Sequence, residues 1–396
     1  MAGNVNLVAA RAAKKDEFYT QWNDIENEMQ AYLEYDPDVF RGKTVLLPCD
    51  DPEWSNFTKY FALNFEKFGL KKLTSTSCAP RFNPAADKRG RIYVLERGED
   101  ASEDGCLSEE YLKWDYLEGD GDFRSEEVTK LRDEADVIVT NPPYSLFREF
   151  IPWMIDGDVE FAVIGSMNAV TYREVFPLIK EGKVWLGRGR SRWFEVPAIY
   201  PESKSEKFTK EGSRIIPVYS NWFTNIQHGR KNEPLKLKTM EGNLLHGSKR
   251  VREAAYVKYD NYDAIEVPEV KGIPSDYPGV MGVPISFLDK YNPDQFEILG
   301  CANYTGPYGS DHLGVGRIGK EWMAKYREAG GRGRYAESMT NLVYYSTDGV
   351  AKYPFSRILI RHRNPEREES QPLSQSRSGQ SSLRCKRGLS HVEVRG

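Results

Sequence analysis

The 396-residue chain is long enough for a substantial core and a second appended unit, and its formal net charge of −4 at pH 7 does not by itself announce a nucleic-acid binder. Five scattered cysteines (Cys49, Cys78, Cys106, Cys301, Cys385), odd in number and without CxxC spacing, argue against a disulfide framework or a zinc site and imply a reducing, cytoplasmic location. With no apolar leader and no run of about eighteen apolar residues, no membrane association is expected.

Residues 1–13 are small and polar and read as frayed. Over residues 14–35, Phe18, Tyr19, Trp22, Ile25, Met29, Tyr32 and Leu33 recur at spacings near three and four, the period of an amphipathic helix with a core-facing stripe. The apolar strand Thr44–Leu47 follows, then the acidic turn Pro48-Cys49-Asp50-Asp51-Pro52 and a helical pattern through Phe57, Phe61, Phe65 and Phe68. Strand, acidic turn and helix make a Rossmann-like opening, but without a glycine-rich loop. Further strands are expected at residues 72–77 and 91–95; neither presents a clear ribose-binding acid, although Glu96 closes the second. The Gly-rich acidic turn 119–123 leads to a helix from Ser125, with Glu126 and Glu127 favourable in its first turn. A buried strand at 137–140, a helix at 146–155, and strands at 161–165, 183–186 and within 215–225 complete the pattern. Alternating strands and helices of this kind predict a doubly wound α/β domain ending near Gln227.

The strand at 137–140 stops at Asn141-Pro142-Pro143-Tyr144. Two prolines cannot extend a ladder, so they hold Asn141 and Tyr144 at the strand's carboxyl edge, where open α/β sheets bind ligands. The loop offers a rigid row: the Asn141 amide oxygen, the Pro142 carbonyl and the Tyr144 ring. Such a row suits a planar NH2 group. An exocyclic amine is a poor nucleophile because its lone pair is delocalised, so an enzyme methylating it must draw its hydrogens toward acceptors and hold it in line with an electrophilic methyl. Asn-Pro-Pro is also ordinary turn chemistry, and cytosine N4 is chemically as suitable as adenine N6.

The tetrapeptide resembles motif IV of the S-adenosylmethionine-dependent amino-methyltransferases. From about Lys14 to Arg361 the chain resembles the EcoRI-type adenine-specific DNA methyltransferases, through Lys-Lys-Asp-Glu-Phe-Tyr-Thr-Gln (14–21), Leu-Pro-Cys-Asp-Asp-Pro-Glu-Trp-Ser (47–55), Gly-Asp-Gly-Asp-Phe-Arg-Ser (119–125), Trp-Phe-Thr-Asn (222–225), Gly-Val-Pro-Ile-Ser-Phe-Leu-Asp-Lys-Tyr-Asn-Pro (282–293) and Ser-Arg-Ile-Leu-Ile-Arg (356–361). The tetrapeptide alone also marks protein-glutamine and ribosomal-RNA methyltransferases, whereas the flanking set is far more specific. The resemblance implies a cofactor site for S-adenosylmethionine built from Phe18, Tyr19, Thr20, Asp50, Asp51, Asp122, Phe123, Asn141 and Phe147. In it Phe18-Tyr19-Thr20 resembles motif X at the methionine end, and Asp122 would accept from the cofactor's adenine amine while Phe123 packs on its ring. Asn141, Pro142, Pro143 and Tyr144 would be the catalytic set, with no metal.

From His228 the character changes to turns, charges and many tyrosines, including Tyr256, Tyr259, Tyr262, Tyr304 and Tyr308. Residues 228–363 are therefore expected to form a mixed, β-rich target-recognition lobe after a catalytic domain at 1–227. Residues 180–258 hold 17 Lys and Arg against 8 Asp and Glu, a local basic stretch of the kind that meets phosphate. Within it Gly187-Arg188-Gly189-Arg190-Ser191-Arg192-Trp193 alternates arginines with small residues, which suits Arg188, Arg190 and Arg192 to duplex phosphates as well as to plain solvation. Gly314-Val315-Gly316-Arg317-Ile318-Gly319 matches the dinucleotide fingerprint literally but follows no strand, so nicotinamide binding is not expected. Residues 364–396 are rich in Ser, Gln, Arg and Glu and read as a disordered tail. Taken together the chain is expected to be a restriction-modification enzyme that methylates adenine N6 in double-stranded DNA. RNA or protein-glutamine methylation is the alternative, and a non-catalytic DNA-binding role a third.

Overall fold

The computed structural model describes residues 19–79, 87–97, 113–189, 193–196, 206–209, 212–302, 304 and 306–366. In chain order the first strands are β1 (Tyr19–Thr20), β2 (Thr44–Leu47), β3 (Lys72–Ser77), β4 (Arg91–Glu96), β5 (Asp115–Tyr116), β6 (Val137–Thr140), β7 (Glu160–Ser166) and β8 (Trp185–Leu186). They are followed by β9 (Trp193–Glu195), β10 (Lys207–Phe208), β11 (Arg214–Pro217) and β12 (Ser220–Thr224). Eight of them form one sheet in the order β5-β4-β3-β2-β6-β7-β12-β8. Its centre, β3-β2-β6-β7, is parallel, while β4 and β12 pair antiparallel on either side. The fold is thus the mixed α/β class expected of a methyltransferase. Every residue of β2 and β6 is buried, as the continuous apolar runs of centrally placed parallel strands require. The chain leaves β2 toward β3 and later returns to β6 on the other side, so the gap between the carboxyl ends of β2 and β6 is the switch point where such sheets bind ligands.

Three departures from the sequence reading have physical causes. The periodic segment 14–35 is not one helix: the helix spans Trp22–Tyr35, and Tyr19–Thr20 pairs antiparallel with Glu195 and Phe194 in a separate sheet ordered β1-β9-β11-β10. A partner some 175 residues distant in sequence leaves no trace in local periodicity. The stretch 215–225 divides between two sheets, β11 joining the small sheet and β12 the large one. Pro217, which has no N–H to offer a ladder, ends β11. The Phe57–Phe68 pattern is two helices, Asn56–Leu63 and Phe65–Phe68, broken at Asn64 and closed by Gly69 in the left-handed conformation (φ 66°).

Beyond them the helices Met240–His246 and Lys249–Ala254 precede strands β13 (Ile265–Glu266), β14 (Met281–Pro284) and β15 (Phe296–Ala302), the hairpin β16 (Tyr344–Tyr345) with β17 (Ala351–Lys352), and β18 (Arg357–His362). A second sheet is ordered β13-β14-β18-β15. The two large sheets share one apolar cluster, in which Ile138, Phe147, Phe161 and Phe223 belong with Met281, Phe287, Phe296 and Ile360. Phe176 packs on Tyr304 with ring centroids 5.7 Å apart. Inside the second sheet, the buried Arg357 guanidinium donates to both Glu266 oxygens (2.5 and 3.1 Å), and the buried Tyr259 hydroxyl donates to the same carboxylate. Gly314–Gly319 runs without regular structure into the helix Lys320–Glu328. Of the segment 364–396 only 364–366 are described, and Glu366 accepts from the Ser275 hydroxyl (2.6 Å); the remainder of the predicted tail lies outside the described residues. No helix among the described residues is long and apolar enough to cross a membrane.

Candidate active site

The two sides of the switch point are bonded to each other. Asp50, just past β2, accepts from the hydroxyl of Thr140, the last residue of β6, at 2.5 Å and from Ser55 Oγ at 2.7 Å. Ser55 also caps the next helix, accepting from the Phe57 N–H. The Asp50 carbonyl accepts from Ser75 Oγ in β3 (2.6 Å). Asp50 is only 4 % exposed, and burial pushes its carboxyl up to about 7 despite the hydroxyls that favour the charge. Its neighbour Asp51 is different: its oxygens accept from the Glu53 N–H (2.9 Å) and Ser77 Oγ (3.2 Å), pair with Arg91 (3.3 Å), and remain partly exposed. The sequence treated the two acids alike. The structure turns Asp50 inward as a brace and leaves Asp51 at the rim.

Thr140 leads directly into Asn141-Pro142-Pro143-Tyr144, so the brace also fixes where this loop begins. Pro143 is extended (φ −54°, ψ 124°), and its carbonyl accepts from the Leu146 N–H (2.9 Å), closing a short helical turn over Tyr144–Leu146. Asn141 and Pro143 are half-buried and Pro142 is buried. The Tyr144 ring is 6 % exposed and packs in a cluster with Val139, Ile164 and Trp222. Trp222 and Tyr144 were not linked by the sequence reading.

On the β2 and β3 side several buried polar atoms have no hydrogen-bond partner among the described residues: Thr20 Oγ1, Gln21 Nε2 and Thr76 Oγ1. Asn56 Nδ2, on the helix after the Asp50–Asp51 turn, donates to the Thr20 carbonyl (2.8 Å) and stitches this strand to that turn. Buried polar atoms are normally satisfied, so each of these is a candidate to contact a polar ligand. Gln21, Asn56 and Thr76 were missed by the sequence reading; only Gln21 falls in a motif segment, and nothing in spacing marks the others. Of the remaining candidates, Tyr19 lies in β1, and Phe18 lies outside the described residues. Asp122 is gripped by Arg124 through two side-chain bonds (2.9 and 2.7 Å). Phe123 is buried edge-on against Phe150 and Trp153, and Phe147 is buried against Phe223. The capping expected of Ser125 is present, its hydroxyl accepting from the Val128 N–H.

The arginine-rich loop is anchored at its start. The Glu28 carboxylate, wholly buried, accepts from the Arg188 N–H (3.1 Å), the Gly189 N–H and the Tyr32 hydroxyl (2.7 Å). A Cβ at Gly187 would fall 1.9 Å from Glu28 Oε1, and one at Gly189 2.9 Å from Oε2. The small residues on either side of Arg188, Gly187 and Gly189, thus make room for a carboxylate. The Arg188 side chain reaches Glu34 at the surface (2.6 Å), and Arg190 and Arg192 lie outside the described residues.

Comparisons with known proteins point to one family. The family model described as adenine-specific methyltransferase EcoRI matches residues 6–363. The chain is 44% identical to type II methyltransferase M.EcoRI of Escherichia coli over 75% of its own length and 89% of that protein. It is 36% identical to type II methyltransferase M.MpnI of Mycoplasma pneumoniae (82% of this chain, 94% of that protein) and 34% identical to M.MgeORF184P of Mycoplasma genitalium (82% and 95%). No solved structure matches significantly.

Proposed function

Because this chain belongs to the EcoRI family of adenine-specific methyltransferases, we propose that it transfers a methyl group from S-adenosylmethionine to N6 of an adenine at a defined site in double-stranded DNA. The observation that carries this reading is the placing of Asn141-Pro142-Pro143-Tyr144 at the carboxyl end of β6, across the switch point from Asp50 and Asp51. Thr20, Gln21 and Asp51 would hold the cofactor's methionine end, with Asp122 and Phe123 at its adenine. The bound cofactor supplies the electrophilic methyl. Asn141 Oδ1 and the Pro142 carbonyl accept the two hydrogens of the adenine amine, so that its lone pair is aimed rather than delocalised, and the Tyr144 ring stacks on the base. The amine is paired inside a duplex, so the base must be flipped out to reach this loop.

The excess of 17 Lys and Arg over 8 Asp and Glu across residues 180–258 supports DNA as the partner. Arg188, Arg190 and Arg192 would contact phosphates, Arg188 exchanging Glu34 for one, and residues 228–363 would supply target recognition. The type II names of the relatives extend the proposal to a partner endonuclease acting on the same site. Tritium transfer from labelled cofactor, offered DNA, RNA and protein in parallel and followed by nucleoside analysis, tests the reading. The expected product is N6-methyladenine in DNA, and label confined to RNA or protein would refute it.

A further inference from the structure

A cleft of about 440 Å³ opens between the catalytic sheet and the second lobe. Asn168, just past β7, and Tyr219, just before β12, form one wall; Arg250, Glu269, Ser286 and Phe355 contribute to the other. Sheet order gives the cleft its meaning. Asn141 ends β6, the cofactor candidates Asp50 and Asp51 lie beyond β2 on one side of it, and Asn168 and Tyr219 lie by β7 and β12 on the other. Adjacent strands are about 4.8 Å apart, so the cleft begins beside the Asn141 loop, on the side away from the cofactor.

Its lining combines two exposed rings, Tyr219 and Phe355, with the Arg250 guanidinium and the Glu269 carboxylate. Tyr219 is 55% and Phe355 64% exposed, which is unusual for large rings. Both stand on fixed backbone: the Tyr219 carbonyl accepts from the Met167 N–H (3.0 Å), and the Phe355 carbonyl accepts from Arg357 (3.2 Å). Arg357 is itself neutralised by Glu266, so its charge supports Phe355 and does not serve a ligand. The cleft's available cation is Arg250, exposed on the helix Lys249–Ala254 beside Lys249 and Arg252, with no ion pair among the described residues. Exposed rings beside a helix that carries Lys249, Arg250 and Arg252 against Glu253 alone are complementary to bases on a phosphate backbone.

We infer that this cleft holds the DNA strand adjoining the flipped adenine, with Tyr219 and Phe355 stacking on neighbouring bases and Arg250 contacting a phosphate. The inference rests on the proposed activity toward DNA. Its test compares Tyr219→Ala, Phe355→Ala and Arg250→Ala with the unaltered chain, measuring methylation of plasmid DNA, affinity for a 24-base-pair duplex carrying the site mapped from that methylation at several salt concentrations, and affinity for S-adenosylmethionine. Each aromatic variant should lose about 5- to 150-fold in DNA affinity, the scale of one base–aromatic stack. Arg250→Ala should flatten the log–log salt slope by about 0.9. Cofactor affinity should not move in any of them. Plasmid methylation by the unaltered chain, with all three variants binding and methylating as it does, would overturn the cleft assignment and leave the activity standing. No methylation of DNA by the unaltered chain would overturn both. Unchanged DNA binding with loss of self-association in sedimentation would assign the cleft to a second copy of this chain and overturn the inference.

Discussion

Replacing Asp50 with Asn should change how stability depends on pH. The carboxyl sits in the protein with a pKa of about 7 against 3.8 for a free aspartate, chiefly because burial disfavours its charge. Between those two values the folded chain binds a proton that the unfolded chain has released, so stability falls as pH rises from about 4 and levels off once the folded carboxyl has ionised. A shift of about three units, at 1.36 kcal/mol each, corresponds to about 4 kcal/mol across that window, an order-of-magnitude figure. Asn has the shape of the protonated acid and cannot ionise. The variant should therefore lose this slope and gain on the unaltered protein by several kcal/mol between pH 4 and pH 8, whatever fixed offset the altered bonds to Thr140 and Ser55 impose. Urea unfolding of both cofactor-free proteins at half-unit pH steps measures it. Parallel stability profiles over the whole range would refute the reasoning, because they would mean that Asp50 ionises as easily inside the fold as outside.

Asn141→Ala should lower methyl transfer more than 10²-fold while leaving cofactor affinity near normal by calorimetric titration, since the role proposed for its amide is on the target amine. Tyr144→Phe should keep much of the activity and Tyr144→Ala should lose base capture worth about 1–3 kcal/mol; an equal loss in both would show that the hydroxyl matters and the ring does not. Glu266→Gln should destabilise the fold by about 3–5 kcal/mol in denaturant unfolding, because it strands the buried Arg357 charge. A shift under about 1 kcal/mol there would mean that the guanidinium finds water or another acceptor.

The parts of the molecule that were legible in the sequence are those whose physics is local. β2, β3 and β6 announced themselves as short apolar or β-branched runs, and the two prolines fixed the end of β6 where the candidate active-site loop stands. Ser125 could be read as a cap because capping is a matter of a few neighbouring residues. What was not legible depends on distant partners. Tyr19–Thr20 looks helical until β9 arrives to pair with it, and Asp50 looks like a solvated loop acid until Thr140, ninety residues on, closes over it. The need for glycine at 187 and 189 is likewise invisible without Glu28 beneath them. Spacing in the chain cannot show which carboxylate a backbone will later fold onto.

The apolar cluster that runs unbroken through both sheets bears on how such an enzyme could be given a new target. A recognition module that can be exchanged between relatives needs a polar seam along which to cut. Here Phe176 meets Tyr304, and the Ile285–Lys290 turn is part of the same interior as the strands of the eight-stranded sheet. Severing the chain near residue 227 would expose core on both fragments, so transplanting the later half, the proposed recognition lobe, onto a foreign first half would require redesigning the interior as well as the loops. Changes of specificity are more readily sought by altering exposed side chains in place.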